Sequence, residues 1–387
     1  MPTISGESLR LILHTPDSDS ELSSYYRSAF ANATELFIVT AYLTEWDSSL
    51  VLNSACRNFR IIIGKDFGIT KKAACEAVMK WLPSKRKGQF MVADSIAGFH
   101  PKAVFWKETN GHAFAIIGSS NLTRAAFETN FEANLYCPLS AADYLLGKQW
   151  VKRIEKQSVV VSEDWLQKYP DAPTSGGRRP KGSKNHEPDI ASLITFKLPK
   201  PQGMKEAIKE RREQLLVYKK KQAGLKSLFK RCASEKISSR KFYDELPKYL
   251  SNEVGNSLQS GMWKLKGKRA NFTLLSQSFL KILDASDEDR DDVVAEEIDM
   301  LKEHGVPARK AFLSEMLCLS FPKEYPLWNK PVHDYLKAIK FKAPRGASEG
   351  VYFIDLAKKL RASLLQNPEH PAKNLAELDG VIFLKYG

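Results

Sequence analysis

The sequence predicts an α/β domain over residues 1–167 and a mainly helical domain over 201–387, with a basic flexible linker at 168–200 between them. Three observations lead there. In the first part, short β-rich runs alternate with stretches whose apolar residues recur at helical spacing. A segment rich in Pro, Gly, Ser and basic residues then breaks all apolar periodicity. Beyond it the helical spacing resumes.

The run 35–43 (ELFIVTAYL) is dense in β-branched and aromatic residues and reads as a strand, as does 59–64 (FRIIIG). Residues 70–82 carry apolar side chains at helical spacing, and 89–94 (QFMVAD) returns to strand character. The stretch HPKAVFW begins at His100 and is followed by Asn110-Gly111, the strongest short hairpin signal, and then by HAFAII. The hairpin folds that second run back beside the first. From Asn130, NFEANLY alternates polar and apolar residues, and 141–157 reads as a closing helix. The linker segment 169–189 has no apolar pattern. The second domain opens with a strongly basic helix, MKEAIKERREQLLVYKKKQ, from Met204. Further on, Ser286 is placed as an N-cap, Gly305 as the stop of the same helix, and Pro307 at the first position of the next. Phe312, Met316, Leu317 and Leu319 belong in the core, with Trp328 and Tyr335.

No apolar run approaches the ~18 residues that cross a bilayer. The N-terminal stretch lacks the charged, apolar and small-residue regions of a secretory signal. Cys56, Cys75, Cys137, Cys232 and Cys318 are odd in number and widely spaced, which suits reduced thiols in a cytosolic protein better than disulfides or a zinc site. The net charge is +14, unevenly placed: residues 178–270 hold 24 Lys and Arg against 9 Asp and Glu, which leaves the rest of the chain at −1. A local surplus of that size favours a polyanionic partner, nucleic acid first, and no segment suggests a membrane.

Chemistry concentrates between Gly98 and Leu135. On an extended strand His100 and Lys102 point the same way. Gly118-Ser119-Ser120-Asn121 leaves the next strand as a tight turn able to present backbone N–H groups and a side-chain amide. Asn130, Glu132 and Asn134 then share a face. Three short strands thus bring His100, Lys102, Asn121 and Glu132 to one edge of the sheet. The set suits phosphodiester transfer: a neutral imidazole attacks phosphorus, a lysine and an amide hold the non-bridging oxygens, and a carboxylate supports an imidazolium.

The order His100-Pro-Lys102, Gly118-Ser119-Ser120-Asn121, Glu132 resembles the H-x-K, G-S-x-N, E signature of the phospholipase D superfamily, most closely its prokaryotic single-motif nuclease branch. The resemblance covers roughly residues 30–140. It implies a layered α/β/α sheet domain and a metal-independent phosphodiesterase without cofactor. His100 would be the nucleophile that forms a phosphohistidine, Lys102 and Asn121 would bind phosphate oxygens, and Glu132 would orient a histidine. Ser119, Ser120, Thr123 and Asn130 are expected to help hold the substrate. The fuller family pattern has an aspartate five residues after the lysine, where this chain has Lys107. With one motif per chain, the second histidine of the superfamily reaction is expected from another copy, in a homodimer with a composite site. The expected activity is a nuclease acting on nucleic acid, DNA favoured, in restriction or anti-phage defence. The alternatives are a non-catalytic nucleic-acid-binding subunit with a defence-complex partner protein, and a phospholipase or phosphatidyl transferase.

Overall fold

The computed structural model describes residues 9–16, 21–170, 192–254 and 270–387. The chain divides into two units, Met1–Ile194 and Thr195–Gly387. The first is built on a sheet whose described strands run in the order β1-β7-β6-β5-β2-β3-β4-β8. They are β1 (Arg10–His14), β2 (Ala33–Thr40), β3 (Asn58–Ile63), β4 (Phe90–Val92), β5 (Lys102–Glu108), β6 (Ala113–Gly118), β7 (Glu132–Leu139) and β8 (Val159–Val160). β2, β3 and β4 pair in parallel, and every other pairing is antiparallel.

Helices cover both faces, as an α/β/α layering requires. β2 reads as a near-continuous apolar run because it is buried on both sides. Phe37 and Val39 pack with Phe105, Ala115, Tyr144 and Val151 beneath helix α4 (Ala141–Glu155). On the other face Phe30 of α1 (Glu21–Asn32) meets Phe59, Trp46 and Trp81 in an aromatic cluster. Trp81 ends α2 (Lys72–Trp81). The Asn110-Gly111 hairpin forms: Gly111 takes φ +87°, and Glu108 N–H donates to the His112 carbonyl at 2.9 Å. β1 and α1 were not legible in the sequence. β1 is an edge strand with Leu11 and Leu13 exposed, so it lacks a clean apolar alternation toward a core.

The expected linker mostly lies outside the described residues, but its last part is anchored. Asp94, fully buried, accepts from the Leu193 and Ile194 N–H groups, both at 3.2 Å, and from the Trp165 indole at 3.0 Å. Residues 192–194 therefore belong to the first unit. Their apolar residues and the distant Asp94 carry no local signal of this.

The second unit is mainly helical. The last helix described in the first unit is α5 (Glu163–Lys168), and the first of the second unit, α6, runs from Met204 to Ala233, about 45 Å at ~1.5 Å per residue. The aromatic core expected from the sequence is present: Phe312, Met316, Leu317, Leu319, Trp328 and Tyr335 are buried. Trp328 stacks on Tyr352 and Phe353, each with ring centroids 5.5 Å away. Asn329 caps Lys330–Ala338 by accepting from Val332 N–H at 3.1 Å. Two boundaries differ from expectation. Ser286 caps a turn, accepting from Asp289 N–H at 3.2 Å, and the helix proper is Arg290–Glu303. Pro307 opens a short 3-10 turn, Pro307–Arg309, before the separate helix Ala311–Ser320. Gly305, with φ +65°, does stop the preceding helix.

The basic helix is not wholly a solvated face. Arg211 is buried, with its guanidinium 3.6 Å from Glu315, and donates to the Val254 carbonyl at 3.3 Å. Asp379 faces the same guanidinium electrostatically. Burial pushes the Glu315 carboxyl up to about 7 and that of Asp379 to about 6, against Arg211, which lowers both. Both folded values stand above the ordinary 4.5 and 3.8. The stability these groups confer is therefore complete below about pH 4 and is lost as pH rises through about 6 to 7. Asp379→Asn is expected to raise stability at about pH 8, on the order of 1–2 kcal/mol, and to flatten its pH dependence above about pH 4. Urea unfolding at several pH values measures this; an unchanged pH slope would refute it.

Candidate active site

Three chain reversals at one end of the sheet build the site. The first leads into β5. Gly98 takes φ +65°, a backbone region that disfavours side-chain-bearing residues, and turns the chain toward His100. Asp66, buried, accepts the next N–H, that of Phe99, at 3.2 Å. β5 begins at Lys102 rather than at His100, so the histidine stands just before the strand. It is exposed and Lys102 is half-buried. Lys102 Nζ lies 3.0 Å from His100 Nδ1 and 3.3 Å from Nε2, and it also donates to the His100 carbonyl at 3.1 Å. An ammonium only donates, so the ring enters this contact as an acceptor. Burial lowers the Lys102 pKa, with Glu132 opposing that shift.

The second reversal is the turn after β6. Asn121 Oδ1 accepts from Tyr42 N–H at 3.1 Å and lies 3.2 Å from the Thr40 hydroxyl. The hydroxyl in turn accepts from Leu122 N–H at 3.2 Å. A backbone donor on its oxygen fixes the amide's orientation. Its NH2 has no partner among the described residues and is available to an anion.

The third reversal leads into β7. Glu132 accepts from the Ser119 hydroxyl and from Asn130 Nδ2, the latter at 3.1 Å. Ser119 Oγ also accepts from Ala133 N–H at 3.0 Å. No hydrogen bond joins Glu132 to His100 among the described contacts.

The structure brings His100, Lys102, Asn121, Ser119, Asn130 and Glu132 to this end of the sheet. It withdraws two others. Ser120 is buried, and its hydroxyl accepts from Asn134 Nδ2 at 2.8 Å. Thr123 is buried and caps the short helix α3 (Arg124–Glu128), accepting from Ala126 N–H at 3.2 Å. Both hydroxyls are engaged within the turn in this structure. Thr40, Tyr42 and Asp66 were missed. The Tyr42 ring packs edge-on against His100, with centroids 5.5 Å apart. Asp66-Phe67-Gly68 is visible in the sequence only as a kinase-like tripeptide in a loop, and nothing local shows that its carboxylate supports residue 99.

Residues 26–148 match the family model described as cardiolipin synthase, PLD-like domain. Residues 26–148 are a phospholipase D-like domain. The matched span includes every residue of the site. Among solved structures, the chain is similar to NucT from Helicobacter pylori, at 17% identity and TM-score 0.32, over 40% of this chain and 99% of that one. It is also similar to Nuc from Salmonella typhimurium, a phospholipase D family member, at 16% identity and TM-score 0.30, over 40% and 97%. A third is the phosphatidylserine synthase of Haemophilus influenzae, at 15% identity and TM-score 0.27, over 40% of each chain. No curated protein matches the chain. The assignment rests on the matched family residues and the geometry of the motif.

Within the phospholipase D-like domain, Lys107 occupies the position of the family's aspartate. It lies five residues along β5 from Lys102, about 17 Å away at ~3.3 Å per residue. Lys107 therefore lies well away from the His100 end of the strand. Gly118 is less replaceable. A Cβ there would lie 2.6 Å from Asn134 Cα and strike the Ala133 carbonyl. Gly118→Ala is expected to destabilise the domain by about 1–3 kcal/mol, read as a lowered denaturation midpoint, because backbone rather than a flexible side chain must move.

Proposed function

We propose that the chain is a phospholipase D-type nuclease, and the observation that carries this reading is the convergence of His100, Lys102 and the unpartnered Asn121 amide at one end of the sheet. A phosphodiester entering there takes the Lys102 ammonium from the imidazole onto a non-bridging oxygen. The Asn121 NH2 holds another oxygen, where charge grows in the transition state. A His100 ring nitrogen attacks phosphorus, an N–P bond forms, and the bond to the leaving oxygen breaks. That oxygen takes a proton from the histidine of a second copy. Water then attacks the phosphohistidine and gives that proton back, which restores both rings. No step requires a metal or a cofactor. Glu132, held by Ser119 and Asn130, supplies negative charge close to the site and supports the imidazolium state.

Two further features support this reading. Exposed lysines run along α6 at Lys205, Lys209, Lys219, Lys220 and Lys230, a surface suited to a polyanion. At the site's end of the sheet, Leu11, Leu135 and Ile117 stand in register across β1, β7 and β6. Leu11 is 66% exposed, and its neighbours Leu13 and Phe131 are 65% and 77% exposed. α4 covers this face at Ala113, Ala115 and Cys137 but not here. This apolar stripe is the surface proposed for a second copy. Restriction or defence is the proposed setting, in the cytoplasm.

His100→Ala is expected to abolish cleavage of DNA and RNA substrates in excess EDTA, and Lys102→Ala or Asn121→Ala to lower it by roughly 10²–10³. Wild-type cleavage that requires added metal, or cleavage surviving in His100→Ala, would sink the mechanism. The pH–rate profile should be bell-shaped, because one imidazole must be neutral and its partner protonated. Leu13→Glu, at an exposed position, should give a folded monomer by sedimentation that cleaves poorly. A dimer of unchanged activity would dismiss the stripe as the interface.

A further inference from the structure

An exposed aromatic ring stands beside the site on a loop that is otherwise turned inward. β3 ends at Ile63, in register with Thr40 of β2, and Thr40 is in register with Lys102 of β5. The loop that leaves β3 therefore starts at the site's end of the sheet, and it is pinned there. Gly64 N–H donates to the Thr40 and Ala41 carbonyls, each at 3.1 Å. A Cβ at Gly64 would lie 2.5 Å from the Ala41 carbonyl oxygen and 3.1 Å from Phe99. The loop thus lies against the residue that precedes His100. Thr70 Oγ donates to the Gly64 carbonyl at 2.8 Å and accepts from Leu43 N–H at 3.3 Å. Asp66 accepts from Phe99 N–H at 3.2 Å, and Lys65, Asp66 and Thr70 are all buried.

Phe67 is the exception. The Lys65 carbonyl accepts from Gly68 N–H at 3.4 Å, which closes a turn with Phe67 at its third position. Phe67 takes φ 62° and ψ 5° there, the left-handed region that such turns give to Gly or Asn and that a bulky side chain disfavours. Its ring is 56% exposed and stacks on no other ring among the described residues. Core packing therefore does not account for a phenylalanine at this position, and glycine would adopt the backbone more readily. Strain of this kind persists where neighbours over-determine the backbone, and it gathers at ligand sites.

The loop holds one aromatic face at a fixed place beside the motif histidine. It lies on the β3 side of β5, whereas the apolar stripe lies on β6, β7 and β1, so this ring is separate from the surface proposed for a second copy. A single ring fixed relative to Lys102 and Asn121 suits a planar partner joined to a phosphate. Membrane contact draws on a broad apolar face; in this loop Ile69, at 37%, is the other exposed apolar side chain.

We propose that Phe67 is a stacking platform for an unpaired nucleobase, that of the nucleotide flanking the phosphate at His100. The assignment rests on the nuclease reading for the phosphate, while the position and exposure of the ring come from the loop itself.

The test uses the full chain carrying His100→Ala, so that the polymer stays intact. Binding of oligothymidylate is compared with binding of an abasic oligonucleotide of equal length by fluorescence anisotropy, with and without Phe67→Gly. The bases are expected to tighten binding roughly 5- to 100-fold, and Phe67→Gly to remove most of that gain while leaving the abasic affinity unchanged. Phe67→Trp should keep it. A gain from the bases that is the same with and without Phe67→Gly would overturn the assignment. Phe67→Gly should also unfold in urea no earlier than its parent, because glycine relieves the left-handed backbone; earlier unfolding would make Phe67 a structural residue and overturn it too. Cleavage in excess EDTA by the chain with His100 intact reads the nuclease proposal separately. Phe67-dependent base binding without cleavage supports the platform and sinks only the nuclease reading. Phe67-dependent pelleting with phosphatidylglycerol vesicles, with no gain from the bases, would overturn the platform in favour of a lipid contact.

Discussion

The site depends on one side-chain amide. Asn121 ties the turn after β6 to the end of β2 through the Tyr42 N–H, and the Thr40 hydroxyl closes the link at Leu122. β2 lies between β5 and β3 in the sheet, so the position of its end is fixed by ladders on both sides. The turn inherits that rigidity. The amide does two jobs with its two ends: the carbonyl oxygen is spent on structure, and the NH2 remains for a ligand. On the proposed mechanism, a donor placed in this way requires no reorganisation when a phosphate arrives, which is where an electrostatic site gains over water.

Much of this was legible in the sequence, for identifiable reasons. The strands β2 to β7 announce themselves by alternation or by apolar density. The hairpin between β5 and β6 is written in Asn110-Gly111, and the order of the motif residues marks the functional end of the sheet. What escaped detection depends on contacts between residues distant in sequence. Thr40 and Asn121 are 81 residues apart, Asp66 and Phe99 33, and Asp94 and Ile194 100. A lone Thr or Asp at the end of a strand has no periodic signature. The inward placement of Ser120 and Thr123 escaped detection for a related reason. In a turn rich in hydroxyls, sequence cannot tell which oxygen caps the following helix and which faces outward, and burial decides it.

The helical unit shows how limited an inference net charge permits. Its surplus of lysine and arginine suggested a polyanion-binding surface, and exposed lysines on α6 suit one. Part of the same charge is instead consumed internally. Arg211 is spent on Glu315, and Asp291 is held by Arg361 at 2.8 Å and Lys358 at 3.4 Å. A buried pair of this kind is weak evidence of stability in itself, because desolvation offsets much of the attraction. It does make the loss of either partner costly. Composition counts both populations of cations alike, and only the fold separates those that can meet a ligand.

The proposed mechanism has to supply a proton to the leaving oxygen. A departing alkoxide needs an acid, and the donors nearest His100 are Lys102 and Tyr42. Lys102 is the cation the phosphate oxygens require, so giving up its proton would remove the charge that stabilises the transition state. The Tyr42 phenol is held above its ordinary value by burial, and Asp66 adds to that effect, so it is a poor acid near neutral pH. His112 lies at the hairpin end of β6, separated from the site by the full length of that strand, and His14 of β1, in register with Glu132, is buried. The proposed mechanism therefore takes its second imidazole from another copy of the chain. The uncovered apolar row on β1, β7 and β6 sits where an approaching copy could bury it, and burial of that row would favour the association on which the proposed mechanism relies.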